Sequence, residues 1–378
     1  QLEGFGEYGF PESHAASFAL IVYVSCWLKR HYPDAFLAGI LNAQPLGFYA
    51  PAQLVRDARE HGVVVRPPDV NRSVWDCTLE PLKTGEGPAP TPEGGGRFAV
   101  RLGLCQIKGF SEAAAAKIEA ARETGGAFQS VADLARRARL SKGDLDRLSR
   151  ADALRSMALD RRAAGWDALA WSGPDLPLFE ATGENRAETG GDFALPVMGE
   201  AEHVAEDYAS LALSLKGHPM GFLRPAFDEL GHVPCAEVKS LRDGARVSLS
   251  GLVLVRQRPG SAKGVIFATL EDETGVANVI VWPKVFERFR KTVIAAKLMA
   301  VHGRVQRQGE VIHVIAERLA DRTPALSALT DGADFANALA RADEIVRNTS
   351  DPREKTTQVR ALVHAGPAAA IPKSRDFH

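Results

Sequence analysis

The chain has 378 residues, 45% hydrophobic and 25% charged, the balance of an ordinary globular protein with room for roughly two to four domains. Its formal net charge of -1 names no partner class. Four cysteines without a CxxC pair (Cys26, Cys77, Cys105, Cys235) argue against a disulfide framework and a structural zinc site, and fit a reduced, cytoplasmic protein.

Residues 13–45 are predicted helical. Ser13 is placed to cap the first helix, and Lys29, Arg30 and His31 suit the negative end of its dipole. Its run Ala15 to Leu28 is expected to be mostly buried; interrupted by Ser17 and Ser25, it is too short to span a bilayer, so no membrane contact is expected. Pro33 opens a second helix over 34–43, and Pro51 a third that stops at Gly62. Val63 to Val65 is a short strand candidate, and the Gly/Pro-rich stretch 83–97 a loop. Residues 99–170 read as short helices beginning at Ser111, Ser130 and Ser141, with Asp144 completing a capping box.

Residues 172–232 read as an acidic linker with one helix over 202–215. From 245 to 320 the pattern alternates as strands do. Strands are predicted over 246–256, 265–270, 276–282, 298–305 and 311–316, with a helix over 283–293 and turns at 271–275 and 308–310. A helix between the third and fourth of five strands is the order of an OB-fold barrel. A tail helix is predicted over 333–347.

Charge is segregated along the chain. Residues 101–165 carry 13 Lys and Arg against 8 Asp and Glu, and residues 233–322 carry 15 against 9; residues 172–232, between them, carry 3 against 11. Two basic blocks suit contact with a polyanion, and the acidic stretch should stand off it. Chance patterning of solvated faces gives the same counts.

Gly4-Phe5-Gly6-Glu7-Tyr8-Gly9 matches GxGxxG, but no strand precedes it, which argues against a dinucleotide site. Asp144-Leu145-Asp146 could pair carboxylates on magnesium, yet it sits in a first helical turn where acids are favoured anyway. Leu104 to Ser111, followed by an Ala-rich helix, has the shape of a helix-hairpin-helix. A glycine bend lets backbone N–H groups approach a phosphate, and the next helix adds its positive end. Lys108, Gly109 and Ser111 are the DNA-binding candidates there, Ser111 standing where a second glycine is usual; a hairpin packed for its own sake is the alternative.

On the barrel, Arg256, Arg258, Lys263, Arg304 and Arg307 with Trp282 offer a basic, stacking surface for single strands. Phe267 and Phe286 are further aromatics there; for Phe267, and for Trp282, a core position is the alternative. Asp175-Leu176-Pro177-Leu178-Phe179 is an apolar peptide in acidic surroundings, suited either to a partner's groove through Leu176, Leu178 and Phe179 or to packing on its own domain.

Tyr8-Gly9-Phe10-Pro11-Glu12-Ser13-His14-Ala15-Ala16-Ser17-Phe18-Ala19, with Trp27 to Pro33, resembles the fingers region of bacterial C-family DNA polymerases of the polymerase III alpha-subunit type. Arg66-Pro67-Pro68-Asp69-Val70-Asn71 resembles the stretch that follows, Leu104 to Phe110 the hairpin entry, and Lys216-Gly217-His218-Pro219 the approach to the barrel. The ending Pro372 to His378 resembles the C-terminus of the error-prone branch. Pro11-Glu12, where the replicative branch has Asn-Lys, also fits that branch.

The resemblance implies a multidomain α and β chain: the end of a fingers domain over 1–98, a helix-hairpin-helix module over 99–171, the acidic linker 172–232, an OB-fold barrel over 233–322 and a tail over 323–378. It implies the C-terminal, DNA-binding portion of a translesion, damage-induced nucleotidyltransferase, with Ser13 and His14 near the incoming nucleotide. The palm aspartates and their magnesium would lie upstream of residue 1, so this portion is expected to bind no cofactor and to be inactive alone. Expected partners are primer-template and single-stranded DNA, a sliding clamp and a polymerase-like accessory protein; Asp175 replaces the leading Gln of the clamp peptide. A stand-alone single-stranded-DNA-binding or scaffold protein would use the same modules.

Overall fold

The structure, a computed structural model, describes residues 11–45, 50–87, 97–171, 198–259, 262–329 and 342–344. Pro11 opens helix α1 (Pro11–His31), so Ser13 lies inside the first turn and not at the cap. The expected burial of α1 is not observed: Phe18, Leu20, Ile21, Val22 and Tyr23 are each more than half exposed. An all-round apolar pattern marks a helix made for apolar surroundings without saying what supplies them. The C-terminal end of α1 is tied down: Lys29 Nζ donates to Asp57 Oδ1 at 2.9 Å, and the Trp27 ring lies 5.6 Å from Tyr32.

Helix α2 (Pro33–Asn42) buries Leu37 and Leu41, and α3 (Pro51–Glu60) buries Val55 and Ala58. Gly62 then reverses the chain at φ +83°. Three short strands follow: β1 (Val65–Arg66), β2 (Thr78–Pro81) and β3 (Phe98–Arg101), in sheet order β1-β3-β2. The strand candidate at 63–65 is displaced to 65–66, and residues 98–101 open the predicted helical region as a strand. Segments of two to four residues hold too few repeats for a period to be legible.

Helices α4 (Glu112–Gly125), α5 (Val131–Ala138) and α6 (Lys142–Arg150) start where predicted. Ser111, Ser130 and Ser141 accept from the N–H groups of Ala114, Asp133 and Asp144, and Asp144 completes the capping box. Each cap stabilises its helix by about 1 kcal/mol. Helix α7 (Arg161–Ala170) follows. One apolar core runs from Leu37 and Leu41 through Ile107, Ile118, Leu134 and Leu148 to Ala168 and Leu213.

Residues 198–232, expected within a linker, contain two packed helices, α8 (Glu200–Leu211) and α9 (Pro219–Glu229). Gly221 and Pro225 disguised α9, yet its Met220, Leu223 and Phe227 pack with Leu252 and Leu298 of the barrel. The barrel comprises β4 (Arg246–Gln257), β5 (Ile266–Glu271), β6 (Val276–Val281), β7 (Leu298–Gln308) and β8 (Val311–Asp321), with α10 (Pro283–Ala295) between β6 and β7. The order β5-β6-β8-β7-β4, closed by β4–β5 pairing, is that of an OB-fold. Leu249, Leu270, Val279, Val281 and Val301 fill it. Residues 342–344, inside the predicted tail helix, instead form β9 (Ala342–Glu344), parallel to Val255–Gln257; ladder bonding outweighs helix propensity there. The rest of that predicted helix, and the 88–96 part of the loop, lie outside the described residues.

Candidate nucleic-acid interface

A single 3-10 turn, Leu104–Gln106, delivers the chain to the Lys108–Ser111 bend. Phe110 is buried and anchors it, while Lys108, Gly109 and Ser111 are exposed. Gly109 sits at φ +73°, where a side chain would be strained. The Lys108 N–H donates to the Ser210 carbonyl at 2.8 Å, and the Phe110 N–H to Ile107 at 3.0 Å, so α8 buttresses the bend. Among the described residues the Gly109 and Ser111 amides take no protein partner. With the amides of the exposed Glu112 and Ala113 at the start of α4, ahead of the Ala114 N–H that Ser111 takes, they leave donors for an outside acceptor, as an anion site requires.

Arg147, which the sequence reading passed over, belongs to the same surface. A Cβ added to Gly109 would lie 3.4 Å from its Nε. Its link to Asp144 Oδ1, at 3.5 Å, is long, and its side chain is 43% exposed. Only its place in the basic block 101–165 pointed to it. Asp144 is engaged in the capping box, accepting from the Ser141 N–H and hydroxyl.

On the barrel, the structure separates the predicted residues. Arg258 and Lys263 are exposed on the β4–β5 loop, and Trp282, 51% exposed, precedes α10. The Arg258 guanidinium carbon lies 5.4 Å from the Phe286 ring centre, and a Cβ on Gly264 would meet Arg258 Nη2 at 3.4 Å and Pro283 at 3.7 Å. The loop therefore folds onto the start of α10, bringing Arg258, Lys263 and Trp282 to one corner. Phe286 is core, and Phe267 is half-buried opposite Ile280.

Three arginines do not join that corner. Arg256, expected at the surface, is buried and donates to the Ala296 carbonyl. Arg307 donates from Nη2 to the carbonyls of Lys239 and Leu241, fastening the turn before the barrel. Arg304 is paired on the surface with Glu317 at 2.8 Å. The expectation of one shared arginine groove is thus corrected.

Ser13 and His14 lie in the first turn of α1, their side chains outside the described set; Leu176, Leu178 and Phe179 lie outside the described residues altogether. Among the described residues no group of three or more His, Cys, Asp or Glu fits a metal ion, and no helix is long and apolar enough to cross a membrane.

A family model described as a helix-hairpin-helix motif matches residues 62–164, and one described as an OB-fold nucleic acid binding domain matches residues 239–321. A protein named error-prone DNA polymerase from Sinorhizobium medicae is 47% identical over 405 aligned residues, 100% of this chain and 36% of that protein. Error-prone DNA polymerase 2 of Agrobacterium fabrum is 48% identical over 365 residues, covering 95% of this chain and 33% of its own length. Error-prone DNA polymerase 1 of the same organism is 52% identical over 337 residues, covering 87% and 30%. The chain spans about a third of the length of the curated relatives it matches.

Proposed function

We propose that this chain, homologous over its whole length to error-prone C-family DNA polymerases, is the portion of such an enzyme that grips primer-template and single-stranded template by the sugar-phosphate backbone. The observation that carries this reading is the outward Gly109–Ser111 bend with Lys108 on it and Arg147 beside it. Amides at a glycine bend and a helix start take a phosphate, and two cations add charge. Such contacts position DNA without reading its sequence, as a polymerase that must accept any template requires. The barrel corner of Arg258, Lys263 and Trp282 adds a base-stacking and cationic contact suited to unpaired template.

Nucleotide transfer, and the magnesium it uses, is assigned in this proposal to carboxylates in the part of the full-length relatives that this chain does not span, so the chain alone is expected to incorporate nothing. A translesion role in the damage response is part of the same reading; the relatives' names carry only the words error-prone. A sliding clamp, engaged through Leu176, Leu178 and Phe179, and a polymerase-like accessory protein are proposed partners. The test is fluorescence anisotropy with primed and single-stranded DNA. Lys108→Glu should weaken binding alike on unrelated sequences; unchanged affinity overturns the hairpin's role.

A further inference from the structure

The fold brings together two cysteines that lie far apart in sequence. The Leu104 N–H donates to Val74 at 2.9 Å and the Cys105 N–H to Trp75 at 3.0 Å, while Thr78 pairs with Arg101 in the β2–β3 ladder. Segments 74–78 and 101–105 therefore run side by side. Gly103 allows the approach: a Cβ there would stand 2.2 Å from the Trp75 carbonyl oxygen. The Cys77 and Cys105 side chains are neighbours across this contact, near enough that each thiol shifts the other's titration. Cys77 Sγ also accepts from the Gly103 N–H at 3.4 Å, and Cys105 Sγ from Gln106 Nε2 at 3.5 Å.

We propose that Cys77 and Cys105 form a reversible oxidation site, closing to an intrachain disulfide when the chain meets a hydroperoxide. The roles divide by accessibility. Cys105 is half-buried and can be reached; Cys77 is 4% exposed and waits behind it. The neighbouring Cys77 thiol brings the Cys105 thiol down to about 7 while that of Cys77 is raised, so near neutral pH Cys105 supplies the thiolate and Cys77 is the proton-bearing partner.

The Cys105 thiolate attacks one peroxide oxygen and the O–O bond breaks. The other oxygen leaves, takes a proton and departs as alcohol, or as water from hydrogen peroxide. Cys105 is then a sulfenic acid. The Cys77 sulfur attacks the Cys105 sulfur, the S–O bond breaks, and hydroxide leaves with the Cys77 proton as water. Two thiols lose two electrons and the peroxide gains them. The link joins the segment entering β2 to the turn that leads into the Lys108 bend. Cys26, exposed on α1, and Cys235, buried in the barrel, lie on other elements.

The test uses the full chain, reduced, exposed to hydrogen peroxide, blocked with N-ethylmaleimide and digested without reductant. A Cys77–Cys105 linked peptide is expected, with two of the four thiols lost and recovered by dithiothreitol. Cys26→Ser should keep the link, and Cys105→Ser should abolish it. Cys77→Ser should leave a Cys105 sulfenic acid that dimedone traps. Wild-type and C26S protein carry the test even if C77S does not fold. Oxidation of Cys105 to sulfinic acid without a linked peptide, or Cys26-linked dimers alone, overturns the proposal.

Discussion

Arg224 on α9 donates to Asp272 Oδ2 at 2.7 Å, bolting the helix that precedes the barrel to the β5–β6 turn. The Asp272 side chain has no exposed surface. Burial pushes its carboxyl up, but the Thr274 hydroxyl, the backbone N–H groups of Cys235 and Thr274, and Arg224 outweigh burial and hold it below the usual carboxylate range. Arg224→Met leaves that charge short of its cation, and a loss of about 3 kcal/mol is expected in urea denaturation. Adding Asp272→Asn should recover part of the loss; two independent, additive losses would show that the pair is not coupled.

Arg256 and Arg258 stand two residues apart and should behave oppositely. Arg256 is buried against Ala296, so Arg256→Ala should cost about 2 kcal/mol of stability, leaving the affinity of folded protein for DNA unchanged. Arg258→Ala should leave the melting temperature within about 1 °C, as surface changes do, and weaken binding to single-stranded DNA. Calorimetry and anisotropy on both variants check the pair.

Acid should loosen the start of α9. His218 Nδ1 accepts from the Met220 N–H at 3.1 Å and caps that helix. Burial pushes the His218 imidazole down to about 4 from its ordinary 6.5. The unfolded chain therefore takes up a proton near 6.5 that the folded protein refuses until about 4, so stability present above 6.5 drains as pH falls through that window. His232, lowered to about 4 by burial and by His302, acts in the same direction. Melting temperature should fall across this range, and His218→Asn, which keeps a capping acceptor, should flatten the fall; a wild-type profile already flat would contradict this.

The sequence was most legible where local chemistry decides structure. Ser111, Ser130 and Ser141 cap the helices they begin, and the alternation of β4 to β8 laid out the barrel almost strand by strand. Arg256 shows why the site was less legible. Along β4 the inward residues are Val247, Leu249 and Val253, so plain alternation points Arg256 outward. A bulge between Val253 and Val255 shifts the register and turns Arg256 in against Ala268. Arg147 was missed because tertiary folding, not sequence distance, sets α6 beside the Gly109 bend. α9 was hidden by Pro225, which the helix accommodates while packing on the barrel.

Arg147 separates a DNA-facing surface from a merely structural hairpin. The one ion pair it makes among the described residues is long and implies little stability, so Arg147→Ala should change folding free energy by under about 0.5 kcal/mol. Its loss should nonetheless weaken DNA binding on every sequence tested, primed or single-stranded. A stability loss with unchanged affinity would return Arg147 to a packing role.

The salt dependence of DNA affinity tests the central claim most directly. Affinity of the chain for single-stranded DNA should fall steadily from 50 to about 200 mM salt, as counterion release demands. The logarithmic slope should lessen by about 1 on Lys108→Ala and again on Arg147→Ala, with no dependence on base sequence. An affinity indifferent to salt, or a slope that neither substitution alters, would contradict a backbone grip at this bend.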